Sequence, residues 1–215
     1  MKKILTNLTL VLFFSIFTNY LYAQGDYNKT DDLGRKQGKW MEFYENGQLR
    51  YTGKFKNNEP VGEFVYYSAE GTMIGRGNYH DKKKQGKWEF FSEDNGALIL
   101  LEHYDNGVLV DKSVVYNPVN QKVVEETEYV NGLRHGIYYK YYDNGVLMIM
   151  ANYNQDTLDG EYKAYYFNGN LKEEGYFSSG VKIGKWKTYD TDGNLLSEDI
   201  HDEENYIKPV SQDYE

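Results

Sequence analysis

The chain has 215 residues and not one cysteine. That excludes a disulfide framework, a thiol nucleophile and a thiolate metal site. It also leaves no cysteine to carry a lipoprotein anchor, so stability has to come from packing and strand pairing. No segment holds a 3.6-residue apolar period between helix caps. Beyond the N-terminus, no apolar run approaches the ~20 residues of a membrane-spanning helix. An excess of basic residues is missing too. There are 33 Asp and Glu against 24 Lys and Arg, a net charge of −9. Such a chain repels phosphate backbones and anionic lipid surfaces unless it gathers its cations into a patch. Nucleic acid is therefore not an expected partner. The best local basic run, Lys82-Lys83-Lys84 with Lys87 close by, reads first as a solvated turn.

The chemistry of known active sites is absent as well. His80, His103, His135 and His201 fall at unrelated places and form no metal-ligand spacing. There is no nucleophile elbow, no phosphate-cradling loop and no dinucleotide fingerprint. Turn carboxylates such as Asp143 and Asp192 lack the pattern of a calcium loop. The expectation is a non-enzymatic protein with no cofactor and no metal.

What is present begins with a leader. Lys2 and Lys3 precede an apolar run from Ile4 to Phe17, and Leu21-Tyr22-Ala23 closes the segment with a small residue. This is the shape of a signal peptide over residues 1–23, with an N-terminal membrane anchor as the rival reading. Cleavage leaves 22 basic against 33 acidic side chains, a net of −11. The protein is expected to be exported, either periplasmic or secreted.

Tyrosine is the compositional anomaly, with 23 copies in a chain that is only 40% hydrophobic. That balance fits half-buried strands with polar-tipped rings rather than a thick apolar core. The rings are periodic. From Gly38 as origin, units start at 38, 62, 86, 111, 136, 160 and 184. Two residues into each unit stand Trp40, Phe64, Trp88, Tyr138, Tyr162 and Trp186, with Ser113 in the fourth. Five residues in stand Phe43, Tyr67, Phe91, Tyr116, Tyr141, Tyr165 and Tyr189. A turn glycine follows at Gly47, Gly71, Gly96, Gly145, Gly169 and Gly193, with Asn120 in unit four. Beyond the turn come an apolar residue and a second ring column, Phe55, Tyr79, Tyr104, Tyr129, Tyr153 and Phe177.

Asn-Gly and Asp-Gly pairs between ring-bearing stretches are hairpin turns, because both residue types accept positive φ. Each unit is thus strand, turn, strand, with the origin glycine as the second reversal. The fold expected is all-β: an elongated antiparallel meander of about fourteen strands in seven tandem hairpin repeats spanning residues 38–204. Residues 24–37 lead in, and residues 205–215 form a C-terminal tail. The three-residue spacing of the two first-strand rings leaves two arrangements open. Either both faces bury rings, or a bend at the unit start brings them to one side, which is the arrangement favoured. Unit four, with Asp111, Ser113, Asn120 and Lys122 at four marker positions, is either drift within an intact hairpin or a kink between two arms.

The order Tyr51, Gly53, Phe55, Asn58, Gly62, Phe64, Tyr67, Gly71, echoed by Gly175, Phe177, Gly180, Gly184, Trp186 and Tyr189, resembles the MORN (membrane occupation and recognition nexus) repeat. The Gly-x-Trp-x-x-Tyr form with its turn Gly-x-Leu looks like the bacterial variant, including the group known as YwqK-type antitoxins. The resemblance extends over about residues 34–200. It implies an open hairpin sheet used for protein contacts or dimerisation, with a phospholipid role proposed for some members. Three functions follow as expectations: a protein-interaction scaffold, a membrane-surface binder, or an antitoxin or immunity protein. A glycan platform is a further reading of the ring rows. As contact residues the reading selects tyrosines expected to be exposed, Tyr66, Tyr142 and Tyr166, and treats the ring columns as core. The partner is a protein of unknown identity, with a homodimer an option at the open sheet ends and a membrane surface disfavoured by acidity.

Overall fold

In a computed structural model, the structure describes residues 27–201, so the expected signal peptide, the first part of the lead-in and the expected C-terminal tail lie outside the described residues. Within them the chain forms one antiparallel sheet of fifteen strands, each beside its neighbour in sequence. The strands are β1 (Lys29–Thr30), β2 (Lys36–Phe43), β3 (Leu49–Lys56), β4 (Glu59–Tyr67), β5 (Met73–His80), β6 (Lys83–Phe91), β7 (Leu98–Asp105) and β8 (Val108–Tyr116). They continue as β9 (Val123–Val130), β10 (Leu133–Tyr141), β11 (Leu147–Asn154), β12 (Thr157–Tyr165), β13 (Leu171–Ser178), β14 (Val181–Tyr189) and β15 (Leu195–His201). The seven hairpins account for fourteen strands; β1, in the lead-in, is the fifteenth.

The reversal between units is not at the origin glycine. It lies four or five residues earlier, at two-residue turns such as Asn57–Asn58, Asn106–Gly107 and Asn131–Gly132, where both residues have positive φ. Such turns carry the twist that matches flanking strands. The origin glycine instead sits inside the first strand. Gly62, at φ +70°, lies in a bulge where Gly62, Glu63 and Phe64 together face the single residue Gly53 of β3. The sequence reading mistook it because a tight turn and a bulge make the same demand for positive φ.

A second irregularity recurs at the far end of every hairpin. Glu42 pairs with Tyr51 but Phe43 with Leu49, so one extra residue sits on the second strand. The first bulge precedes both first-strand ring positions, and the second puts its extra residue on the partner strand, so the first strand itself runs uninterrupted from Trp40 to Phe43. Strict alternation therefore holds from Trp40 to Phe43 and puts their rings on opposite faces, which overturns the favoured one-sided arrangement. The contacts agree: Tyr139 and Tyr141 meet at 6.3 Å on one face, while Tyr138 meets Tyr153 at 5.8 Å on the other.

Unit four keeps its hairpin. Strands β8 and β9 pair from Asp111↔Tyr129 to Tyr116↔Val123, and β8 continues the sheet from β7. With no second layer among the described residues, the core is the ring-bearing face itself. Phe64, Trp88 and Trp186 are each only 2% exposed.

Candidate binding surfaces of the sheet

On the ring face the first and second ring columns interleave into a ladder. Trp40 meets Phe55 at 5.9 Å, Phe55 meets Phe64 at 5.3 Å, and Phe64 meets Tyr79 at 5.1 Å. Tyr79 meets Trp88 at 5.1 Å, and Trp88 meets Tyr104 at 6.5 Å. Toward the C-terminus Phe177 meets Trp186 at 5.0 Å, and Trp186 meets His201 at 6.3 Å. Most of these contacts are edge-on, the geometry the ring quadrupole favours.

The ladder needs space in the preceding strand. Phe64, Trp88 and Trp186 lean back over the strand before their own, and the residue beneath each is glycine. Phe64 lies over Gly53, Trp88 over Gly77 and Trp186 over Gly175, and none of these glycines has room for even a methyl group. Matching registers place Thr127 by Tyr138 and Ala151 by Tyr162. In unit four the sizes are exchanged: Glu102 stands at the glycine position and Ser113 at the ring position. What reads in sequence as drift is a compensated pair.

Cations roof the ladder. The Lys84 ammonium lies 4.6 Å from the Trp88 ring, 4.8 Å from Phe90 and 4.6 Å from Tyr104. Burial lowers its pKa, and the Glu102 charge offsets part of that. Lys36 stands 4.4 Å over Trp40, Lys182 3.8 Å over Trp186, and Arg134 4.2 Å over Tyr153. Each tryptophan thus has a lysine four residues before it, a signal present in the sequence but not used there. The Lys82–Lys84 run is correspondingly dispersed. Lys82 is paired with Glu59 at 2.8 Å, Lys84 sits among rings, and Lys87 is held by Glu89 at 2.6 Å.

Tyr66, Tyr142 and Tyr166, expected to be exposed, are half-buried and bonded within the chain. The Tyr66 hydroxyl lies 3.1 Å from that of Tyr79, and burial followed by this contact pushes its phenol well above the ordinary tyrosine range. Tyr142 donates to the Tyr165 carbonyl at 2.9 Å and Tyr166 to that of Tyr189 at 2.8 Å. These bonds tie one repeat to the next. Turn asparagines add to them: Asn46, Asn144 and Asn168 donate to Ala69, Phe167 and Thr191 carbonyls at 2.8, 3.2 and 2.8 Å. The turn glycines Gly47, Gly71, Gly96, Gly145, Gly169 and Gly193 all have positive φ, from +69° to +92°.

The opposite face carries the second first-strand ring column. There Arg76 lies 5.8 Å from the Phe91 ring and is ion-paired with Glu89; its pull and that of Lys87 hold the Glu89 carboxyl below its usual range. A shallow hollow of about 420 Å³ is lined by Glu161, Glu174, Tyr176, Lys185 and Lys187. Its charges are largely spoken for, with Lys185 on Glu198 at 2.7 Å and Tyr189 on Glu174 at 2.8 Å. Apolar side chains are exposed at the start of β8 and between β9 and β10. Val108, Val130, Leu133 and Ile137 are 37% to 51% exposed, and Val130 faces Leu133 directly across the strands. Sequence reading missed this patch because its members fall outside the repeat columns.

The two ends of the sheet differ. At the N-terminal end β1 covers the start of β2. Just before it, Asn28 uses its carboxamide as a short strand, accepting from the Met41 amide at 2.7 Å and donating to the Met41 carbonyl at 2.9 Å. At the C-terminal end β15 has no neighbour beyond it among the described residues. No group of His, Asp or Glu among the described residues is arranged to hold a metal ion, and no helix there is long and apolar enough to cross a membrane.

The sequence model of the MORN repeat variant matches residues 36–57, 134–155, 158–179 and 182–202. These segments lie over units one, five, six and seven. No curated protein gives a significant match to the chain.

Proposed function

We propose that this chain, which belongs to the MORN-repeat family, is an exported, non-enzymatic scaffold that binds a protein partner on its uncovered sheet. The observation that carries the reading is the set of exposed apolar side chains Val108, Val130, Leu133 and Ile137, with Val130 paired to Leu133, on a sheet with no second layer among the described residues. Exposed apolar side chains on a single-layer array are what a partner covers, and repeat sheets present extended surfaces. The leader over residues 1–23 supports a periplasmic or secreted site of action. The dispersal of the Lys82–Lys84 run argues against an anionic membrane as the partner.

The test is in-cell crosslinking of the chain expressed with its own leader, beside vesicle flotation with neutral and anionic lipids at low and physiological salt. A discrete protein adduct in the exported fraction, lost in Val130→Lys or Leu133→Lys, with no flotation, is the expected result. Salt-sensitive flotation on anionic vesicles without any protein adduct contradicts it.

A further inference from the structure

Six times in this molecule the second strand of one unit receives, on its outer side, the first strand of the next: β3 receives β4, β5 receives β6, and so on to β13 and β14. Strand β15 is the seventh second strand, in the same register to its own hairpin partner, with Trp186 opposite Asp199 as Trp88 is opposite Glu102. Its outer side is open among the described residues, and its side chains Leu195, Leu196 and Ile200 are 54% to 70% exposed. At the other end β1 and the Asn28 carboxamide occupy part of the outer edge of β2. Among the described residues, the partly occupied edge is the poorer place and the edge of β15 the better place for a strand to add.

We propose that the outer edge of β15 is a docking site for one extended polypeptide segment of a partner, laid antiparallel, with a small side chain rather than a ring at the position that leans over Asp199. The first half follows from continuity: β15 repeats the surface that binds a strand six times within the chain, and strand addition draws its affinity from main-chain hydrogen bonds. The second half follows from the size rule. Where the receiving residue is Gly53, Gly77 or Gly175, the incoming residue is Phe64, Trp88 or Trp186. Where it is the carboxylate Glu102, the incoming residue is Ser113. Asp199 belongs with Glu102. The neighbouring carboxylate, Glu198, is bound by Lys185 at 2.7 Å, and Asp199 itself accepts from the Ser197 hydroxyl at 3.2 Å. The same rule works against head-to-tail stacking of copies, since β2 would bring Trp40 over Asp199.

This inference rests on the protein-binding reading but uses a different surface, so the two fail separately. Two labelled peptides are titrated into the full chain: one with the sequence of residues 108–116, which carries Ser113, and one with that of residues 181–189, which carries Trp186. The wild-type chain is expected to bind the first at least about tenfold more tightly, and Asp199→Gly to reverse the preference. Leu196→Lys with Ile200→Lys should abolish binding of either, whereas Leu133→Lys, which tests the patch, should leave peptide binding unchanged. Melting curves establish that each variant is folded. No binding of either peptide, or equal binding indifferent to Asp199→Gly, overturns the proposal. Loss of the crosslinked adduct in Leu133→Lys alone leaves the scaffold reading standing without it.

Discussion

The indole of Trp186 occupies the space that a side chain at Gly175 would need, on the strand before its own hairpin. Gly175→Ala should therefore destabilise the chain by about 1–3 kcal/mol, the usual cost of overpacking a filled core. Trp186→Tyr in the same chain should recover part of the loss, because Ala151 and Tyr162 already form that combination in the neighbouring unit. Urea unfolding of the two single variants and the double variant gives the coupling directly. Additive losses contradict the size rule.

Much of this arrangement was legible in the sequence, and the remainder had physical reasons not to be. The repeat, the hairpins and the turn glycines follow from residue chemistry that recurs seven times. The face assignment did not, because Gly62 announces a positive φ without saying whether a turn or a bulge uses it. The origin of the small column at Gly53, Gly77 and Gly175 was equally hidden: it is set by rings 11 residues later, across a strand boundary. Tyr66, Tyr142 and Tyr166 look like solvent-facing residues until their hydroxyls are seen to find acceptors or partners in other strands and turns.

Those hydroxyls give a second prediction. Tyr142→Phe and Tyr166→Phe each remove a bond between repeats while keeping the ring, and should each cost about 0.5–1.5 kcal/mol. Thermal unfolding beside a binding assay decides the role. A loss of capture with unchanged stability would restore them as contact residues.

The ladder cations give a third. Lys182 stands 3.8 Å over the Trp186 ring and 2.6 Å from Glu173. Lys182→Gln should lower stability by about 0.5–2 kcal/mol, the range for a cation over a partly buried ring, and should alter Trp186 emission. Chemical denaturation followed by tryptophan fluorescence reads both effects. Unchanged stability with unchanged emission would make the cation incidental.

Alkaline pH is the fourth. Burial raises the phenols of Tyr66, Tyr104 and Tyr138, with Tyr79, Glu102 and Glu125 respectively adding to it through hydrogen bonds. A raised folded value means the native state keeps a proton that the unfolded chain releases near the ordinary tyrosine value of about 10. The stability these groups contribute is complete below that pH and is lost as pH rises above it toward the folded values. Phenolate absorbance should appear together with loss of sheet circular dichroism, in one cooperative step above pH ~10. Gradual titration of these phenols in a chain that stays folded would contradict the burial.

Binding on a face or an edge of this chain presupposes one unbroken sheet, partly covered at Asn28 and β1 and, among the described residues, open at β15. Residue-resolved amide hydrogen exchange measures that directly. Continuous protection is expected from β2 through β14, including β8 and β9, with the Met41 amide slow under the Asn28 carboxamide and the outward amides of β15 fast. A gap in protection over residues 108–130, or a rapidly exchanging Met41, would contradict it.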